Sequence, residues 1–493
     1  MGALRRRCQR WMGLCAAGAA GVLAAAAPAG AAPPPEGECP VFSGIPGGGP
    51  TRDAAPVRIR EGMLLAYEDI LLLGKLLPVE VWRNRDAFFH DGMRLEIGPC
   101  HRRYPVPAFF REATAEHGGK ATLDDAGNLR GHVAGLPFPP EGIDPKAPDA
   151  ALRWAWNFER RWRGAGPAGK FRLVDMPGRI GGIQTYEGEW YFLQTTHRSD
   201  LKQAGYRSPI ADETQWIAGG EFHEPTNARH LAWMQQRPAE VAEDFDHPDD
   251  TFVYVPTMRK MRRAVSSWVD GVYTPRYRVT GDAGGGGMPF GGGEGMGLSG
   301  SISPNAGESI AITENLRRGF VGLAIRPNAY VWRMLGEREV LAPINVTRGG
   351  YPQDEERNFG PSGLSVGNDR WDVRWAVVIQ GAVKERGRDY DLLTLWIDYQ
   401  TQQPLYYIAK LRRGSRVTEV GIQLHRFSGD LSKYPLWPDG SPANVFDPVG
   451  AVFFDAADGG SGWRREAYDT LSLPRDPEDL HRMSSPSFLE RGH

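Results

Sequence analysis

WDVRWAVVI, running from Trp371 to Ile379, is the stretch from which the fold of this chain is read. At period two Trp371, Val373, Trp375, Val377 and Ile379 fall on one face of a strand, while Asp372 and Arg374 open the other. Outward from it, Thr251 to Val255, Tyr330 to Leu335, Glu339 to Ala342, Leu392 to Ile397, Pro404 to Leu411 and Val417 to Phe427 are further short runs rich in β-branched and aromatic residues. Short turns such as Thr401 to Gln403 separate them, which is how an antiparallel meander is built and not a βαβ array.

Two segments carry helical spacing. In Glu61 to Leu77 the apolar positions Met63, Leu64, Tyr67, Ile70, Leu71 and Leu77 suit a helix despite Gly74. Asp149 to Arg163 offers Asp149 as an N-cap and Gly164 just past its end. Its Trp154, Trp156, Phe158 and Trp162 are too many aromatics for one narrow stripe, so that helix is expected to be covered on two sides. The 62 Gly and 39 Pro among 493 residues, with 15 Trp, 16 Tyr and 20 Phe, favour a β-rich body with many turns over a helical bundle. A formal charge of −2 lacks the basic excess of a nucleic-acid-binding protein.

Residues 1–31 read as a secretory signal, with Arg5, Arg6, Arg7 and Arg10 ahead of an Ala/Gly-rich apolar stretch and Ala29-Gly30-Ala31 as the cleavage site. Its removal would take the formal charge from −2 to −6. Of the four cysteines, Cys8 and Cys15 leave with the signal. Cys39 and Cys100 remain as an even pair in an oxidising compartment, to be read as one disulfide tying an N-terminal arm to the body. Residues 32–56 are Pro/Gly-rich and expected to be an extended arm; 57–474 form a single body. Residues 281–307 are a Gly-rich low-complexity insertion within it, and 475–493 a polar, frayed tail.

Several motifs resemble chemistry but lack its context. Gly295-Met296-Gly297-Leu298-Ser299-Gly300 fits the dinucleotide pattern without a strand before it or a helix after it. Gly363-Leu364-Ser365-Val366-Gly367 fits the nucleophile elbow, yet lies between a loop and a strand. His223 with His230 has neither the spacing nor the uninterrupted helix of a zinc protease, and Glu243 to Asp250 reads as a solvated acidic turn. No cofactor, metal or catalytic residue is therefore assigned. The strand aromatics Phe252, Tyr254, Tyr330, Trp332, Trp371, Trp375, Trp396 and Tyr407 are candidates to line an apolar interior. The basic cluster Arg259, Lys260, Arg262 and Arg263 is a candidate to meet a headgroup or an acidic partner.

Four pieces, in order, resemble the bacterial envelope family known as domain of unknown function 1329, related to the lipoprotein carriers LolA and LolB. They are Gly135 to Pro139 ahead of Trp156-Asn157, Val253 to Ala264, Tyr330 to Asn345, and Leu395 to Ile408. The resemblance implies an α+β fold: a large curved antiparallel sheet, a half-open β-barrel of the LolA kind, with helices packed in or across its concave face. It also implies a non-catalytic, exported protein of the periplasm, free or peripheral to the outer membrane. Such a protein binds or carries a lipid or other hydrophobic ligand, with an inner-membrane exporter or an outer-membrane component as partner. A structural or adaptor role in an export complex, without a ligand of its own, is the alternative.

Overall fold

The computed structural model describes residues 32–42, 57–176, 182–210, 214–226, 228–242, 247, 249–256, 259–264, 275–281, 308–314, 324–348, 350–351, 357–384, 390–411, 417–456, 462–487 and 489. The expected signal sequence, the arm beyond Phe42 up to Val57, the dinucleotide-like Gly295 to Gly300 and the Gly-rich insertion after Gly281 lie outside them.

Among the described residues, fifteen strands make one sheet: β1 (Leu64–Leu65), β2 (Leu95–Cys100), β3 (Ala168–Met176), β4 (Gln184–Gln194), β5 (Thr214–Glu224), β6 (Ala232–Pro238), β7 (Asp250–Val255), β8 (Lys260–Ala264), β9 (Tyr330–Ala342), β10 (Arg370–Val383), β11 (Leu392–Asp398), β12 (Pro404–Lys410), β13 (Val417–Phe427), β14 (Phe446–Asp455) and β15 (Gly462–Leu471). Their order is β8-β7-β6-β5-β4-β3-β15-β14-β13-β12-β11-β10-β2-β1, with β9 also on β10, so the sheet does not close on itself. The meander expected from short turns is there, but β2 lies parallel to β10 and makes the sheet mixed. Five α-helices join it: α1 (Val79–Arg83), α2 (Arg85–Phe88), α3 (Ala108–His117), α4 (Ala150–Glu159) and α5 (Pro477–Ser484). The architecture is the α+β one that the resemblance implied.

Where the chain departs from its pattern, the cause is local. In Glu61 to Leu77, Leu64–Leu65 pairs as β1 and the helix that follows, Tyr67–Lys75, is 3-10. Its buried positions are Ile70 and Leu73, followed by the C-cap Leu76, and this spacing of three matches three residues per turn. The two runs Tyr330 to Leu335 and Glu339 to Ala342 are one strand, β9. Its register shifts between Met334 and Gly336, where Gly336 takes φ +126° and so absorbs the irregularity. Helix α4 stops at Glu159, four residues short of Arg163. Asp149 does not cap a backbone N–H; its Oδ2 accepts from Arg153 Nε at 2.9 Å. Trp154, Trp156 and Phe158 are all buried, as a helix covered on more than one side requires.

Two layers hold the β9–β14 region. Helix α4 packs on β9 and β10, and Trp154 shares a cluster with Tyr330, Val377, Ile379, Leu395, Tyr407 and Phe453. Another cluster joins Leu73, Val81, Phe88 and Phe89 to Trp371, Val373, Trp396, Tyr406 and Ile422. The period-two face of WDVRWAVVI is thus divided: Trp371 and Val373 serve one cluster, Val377 and Ile379 the other. A third cluster, with Phe171, Trp190, Trp216, Phe222 and Trp233, fills the β3–β7 region. Between these regions lies a buried ionic group. Asp249 accepts from Arg237 (Nη2 at 3.2 Å) and from Arg326, and Glu159 accepts from the Ile325 amide at 2.9 Å. Asp249 therefore does not belong to a solvated acidic turn. Neighbouring Asp250 pairs with exposed Arg263, and 243–246 and 248 are outside the described residues.

Cys39 and Cys100 are joined by a disulfide with 5.3 Å between their Cα atoms, fixing the described part of the arm to β2. The pieces that carried the resemblance are also linked. Asn157 of α4 accepts from the Phe138 amide at 3.1 Å and donates back to the Phe138 carbonyl, clamping the segment Gly135 to Pro139.

Candidate binding cleft

The chain end that reads as a frayed tail instead builds a helix, and with it a cleft. Asp476 N-caps α5 by accepting from the Asp479 amide at 2.8 Å, and Pro477 occupies the first helical position. Glu478 and Asp479 in the first turn, with His481 and Arg482 in the last, match the helix dipole at both ends. The helix is fastened to the sheet at few points: Tyr191 Oη donates to the Met483 carbonyl at 3.1 Å, Gln236 Nε2 to the Ser484 carbonyl at 3.2 Å, and the Met483 side chain is buried.

Between α5 and strands β3 to β6 and β15 lies a cleft of about 370 Å³. Its apolar lining comes from Ala168, Trp190, Tyr191 and Ala232 on the sheet side and from Met483 and Leu489 on the tail side. Backbone at Gly169 and Gly220 forms part of the floor. A Cβ at Gly169 would stand 1.4 Å from the Asp469 carbonyl oxygen, and one at Gly220 2.4 Å from that of Glu189. The rim is charged in both senses, with Lys170, Arg475 and Arg482 against Glu189, Glu221, Asp469 and Asp479. Burial lowers the Arg475 guanidinium from its ordinary range and pushes the Tyr191 phenol up, so Tyr191 stays a neutral donor at physiological pH. A volume of this size with an apolar floor and a mixed polar rim suits part of an amphiphile.

The residues singled out from the sequence lie elsewhere. None of the eight strand aromatics lines this cleft. Tyr330, Trp332 and Tyr407 are packed under α4, Trp371 and Trp396 are in the cluster with the 67–89 segment, and Trp375 Nε1 donates to Glu337 at 3.2 Å. On β7, Tyr254 is buried and Phe252 half-buried. Arg259 and β8 residues Lys260, Arg262 and Arg263 are exposed, at one end of the sheet order.

The two hydrolase candidates are also placed. Ser365 Oγ is 2.8 Å from His90 Nδ1, a pairing that the sequence reading did not anticipate because His90 lies 275 positions away. Burial lowers the His90 pKa, which favours the neutral ring, but Ser365 is 1% exposed and His90 7%. A nucleophile must meet its substrate, and this pair is closed off. His223 is exposed, His230 Nδ1 lies 2.8 Å from Glu221 Oε1, and no group of three or more metal-ligating side chains occurs among the described residues. No helix among them is long and apolar enough to cross a membrane.

Residues 87–278 match the family model described as "Protein of unknown function (DUF1329)", as the resemblance in the sequence led one to expect. No curated protein matches. Among solved structures, a domain named for outer membrane lipoprotein sorting from Vibrio parahaemolyticus is 11% identical, covering 70% of this chain and 100% of its own at a TM-score of 0.37. A DUF1329 family protein from Desulfovibrio piger is 11% identical over 65% of this chain and 93% of its own, at 0.34. A LolA superfamily protein from Nitrosomonas europaea is 11% identical over 68% and 96%, at 0.31. At such identities and scores none of them transfers a ligand or an activity to this chain.

Proposed function

We propose that this chain is a non-catalytic protein of the bacterial envelope that binds a lipid or similar amphiphile, with α5 covering the bound molecule. The observation that carries the reading is the cleft itself: sheet backbone and apolar side chains below, and above them a helix fastened at few points. Acyl carbon entering it leaves water, at roughly 0.8 kcal/mol per buried CH₂. Its rim offers both signs of charge, which fits a zwitterionic or neutral headgroup better than a strongly anionic one. The envelope location rests on the signal pattern of residues 1–31 and on the Cys39–Cys100 pair, which belongs to an oxidising compartment.

Native mass spectrometry of the protein purified from periplasm without detergent, before and after offering phosphatidylethanolamine vesicles, tests this. A stoichiometric lipid adduct that is lost on Met483→Glu, with the sheet still folded by circular dichroism, supports it. A clean apo mass before and after lipid overturns it. The adaptor reading draws on a different observation, the exposed Arg259, Lys260 and Arg262 at the end of the sheet order, where strand addition by an acidic partner could occur. Lipid-independent co-purification that is lost when these three residues are replaced by Glu would favour it.

A further inference from the structure

The strand registers set the floor of the cleft under α5 in two rows that cross the sheet. In the first, Asp469 of β15 stands opposite Lys170 of β3, Lys170 opposite Glu189 of β4, Glu189 opposite Glu221 of β5, and Glu221 opposite Ala232 of β6. Directly opposed residues share a face, so these charges lie side by side, each about one strand spacing of ~4.8 Å from the next. Two positions along each strand, the second row runs Leu471, Ala168, Tyr191, Gly219 and Met234. The last turn of α5 is fastened over that second row, through Tyr191 to the Met483 carbonyl and through Gln236, which also reaches Met234 Sδ at 3.5 Å. The floor thus has a charged row and, beside it, an apolar one.

The charged row does not neutralise itself. Glu189 and Glu221 are like charges directly opposite each other, an arrangement that destabilises a strand pair. Glu221 has His230 Nδ1 at 2.8 Å. Glu189 has no such relief: among the described residues Lys170, Glu189 and Asp469 make no ion pair, and all three are exposed and line the cleft. The charges above are already engaged. Arg482 Nη2 donates to Asp479 at 3.2 Å, and Arg475 donates to the Leu471 carbonyl. What the floor offers a ligand is therefore one cation, Lys170, with a carboxylate one strand away on either side.

A purely anionic headgroup would meet Lys170 but also the carboxylates that flank it. A headgroup with a phosphate and an amine two carbons apart spans about one strand spacing and answers both signs at once. Strand alternation turns the Trp190 ring to the opposite face, into the cluster with Trp216 and Trp233. Tyr191 is then one ring beside the carboxylates, not the cage of several rings that holds a quaternary ammonium. A primary ammonium, which donates hydrogen bonds to carboxylates, is the better match. We propose that the cleft selects phospholipids of the phosphatidylethanolamine class, with the phosphate on Lys170, the ammonium on Glu189 and an acyl chain along the apolar row beneath Met483. This assignment rests on the cleft taking up a lipid at all, and the two can fail separately.

Calorimetric titration of the full chain with four dihexanoyl lipids below their micelle concentrations tests the assignment: phosphatidylethanolamine, its N-acetyl derivative, phosphatidylcholine and phosphatidylglycerol. The N-acetyl derivative keeps the phosphate and both chains and loses only the cation. Phosphatidylethanolamine should bind at least about tenfold more tightly than each of the others, a factor within the reach of one charge-assisted hydrogen bond. Glu189→Gln should shrink that preference by about fivefold or more and leave affinity for the N-acetyl derivative equal or higher. Lys170→Gln should weaken both of these lipids alike. Both positions are exposed, so neither substitution disturbs packing. Equal affinity for phosphatidylethanolamine and its N-acetyl derivative, or a preference that survives Glu189→Gln, overturns the headgroup assignment while leaving the cleft a lipid site. Binding of none of the four overturns the cleft reading and the assignment with it.

Discussion

The Ser472 hydroxyl donates to Oδ1 of Asp447 at 2.5 Å, in a part of the molecule where both side chains are buried and Asp447 Oδ2 has no partner. Burial is the dominant influence on that carboxyl and pushes it from its ordinary 3.8 up to about 7. Between those values the folded protein holds a proton that the unfolded chain has released. The stability that the neutral carboxyl contributes is therefore complete below pH 3.8 and lost as pH rises to 7. Asp447→Asn keeps the acceptor and removes the ionisation, so it should stabilise the protein above pH 7, by up to about 4 kcal/mol, and make no difference near pH 4. Urea titrations of both proteins at pH 4 and pH 8 check this.

Asp249 faces Arg237 and Arg326, both fully buried. Asp249→Ala should cost roughly 3–5 kcal/mol, because it strands cations that cannot reach water. Arg263→Ala removes the exposed partner of Asp250 and should cost under about 1 kcal/mol. Comparable losses in the two variants would mean that the buried group does not join the sheet regions as described.

The disulfide between Cys39 and Cys100 spans a sequence separation of 61. Its loss should lower stability by about 2–4 kcal/mol, chiefly by freeing the unfolded chain. A reductant should lower the Tm of the wild type and leave that of Cys39→Ser/Cys100→Ser unchanged.

Among the described residues, helix α5 is held by one buried side chain and two hydrogen bonds to its last turn. So light a fastening should open well below the global unfolding free energy. In hydrogen exchange, the amides of Leu480 to Ser484 should exchange far faster than those of β13 and β14, and Met483→Ala should speed them further without changing the sheet. Equal protection of helix and sheet would remove the lid.

The strands were legible because their pattern is local: β7, β10, β11, β12 and β13 lie where β-branched and aromatic runs announce them. Helix α4 was legible for the same reason. Apolar spacing in Glu61 to Leu77 announces a helix but not its type or its start: Leu64–Leu65 pairs in the sheet, and the 3-10 helix begins only at Tyr67. The cleft was missed because its floor is made of residues that carry no signal, Gly169, Gly220, Ala168 and Ala232. Its cover looks like a charged tail, although Asp476-Pro477-Glu478-Asp479 is a helix start that could have been read. The aromatics chosen as ligand-lining are large and on strands, and that is equally what a close-packed interior selects. Asp249 could not have been found from its acidic neighbours, since Arg326, which compensates it, is 77 positions away.

Strand β15 is flanked by β14 on one side and β3 on the other, in register from Trp463↔Met176 to Leu471↔Ala168. It is therefore the seam between two wings, one built from β3 to β8 and one from β1, β2 and β9 to β14, and among the described strands it comes last in chain order. Until residue 471 has emerged, the edge of β3 lacks this neighbour and the two wings are joined only by contacts such as the Asp249–Arg237–Arg326 group, not by backbone pairing. The ladder that unites the two wings thus pairs residues about 300 positions apart, so it closes late and only after both wings have formed their own hairpins.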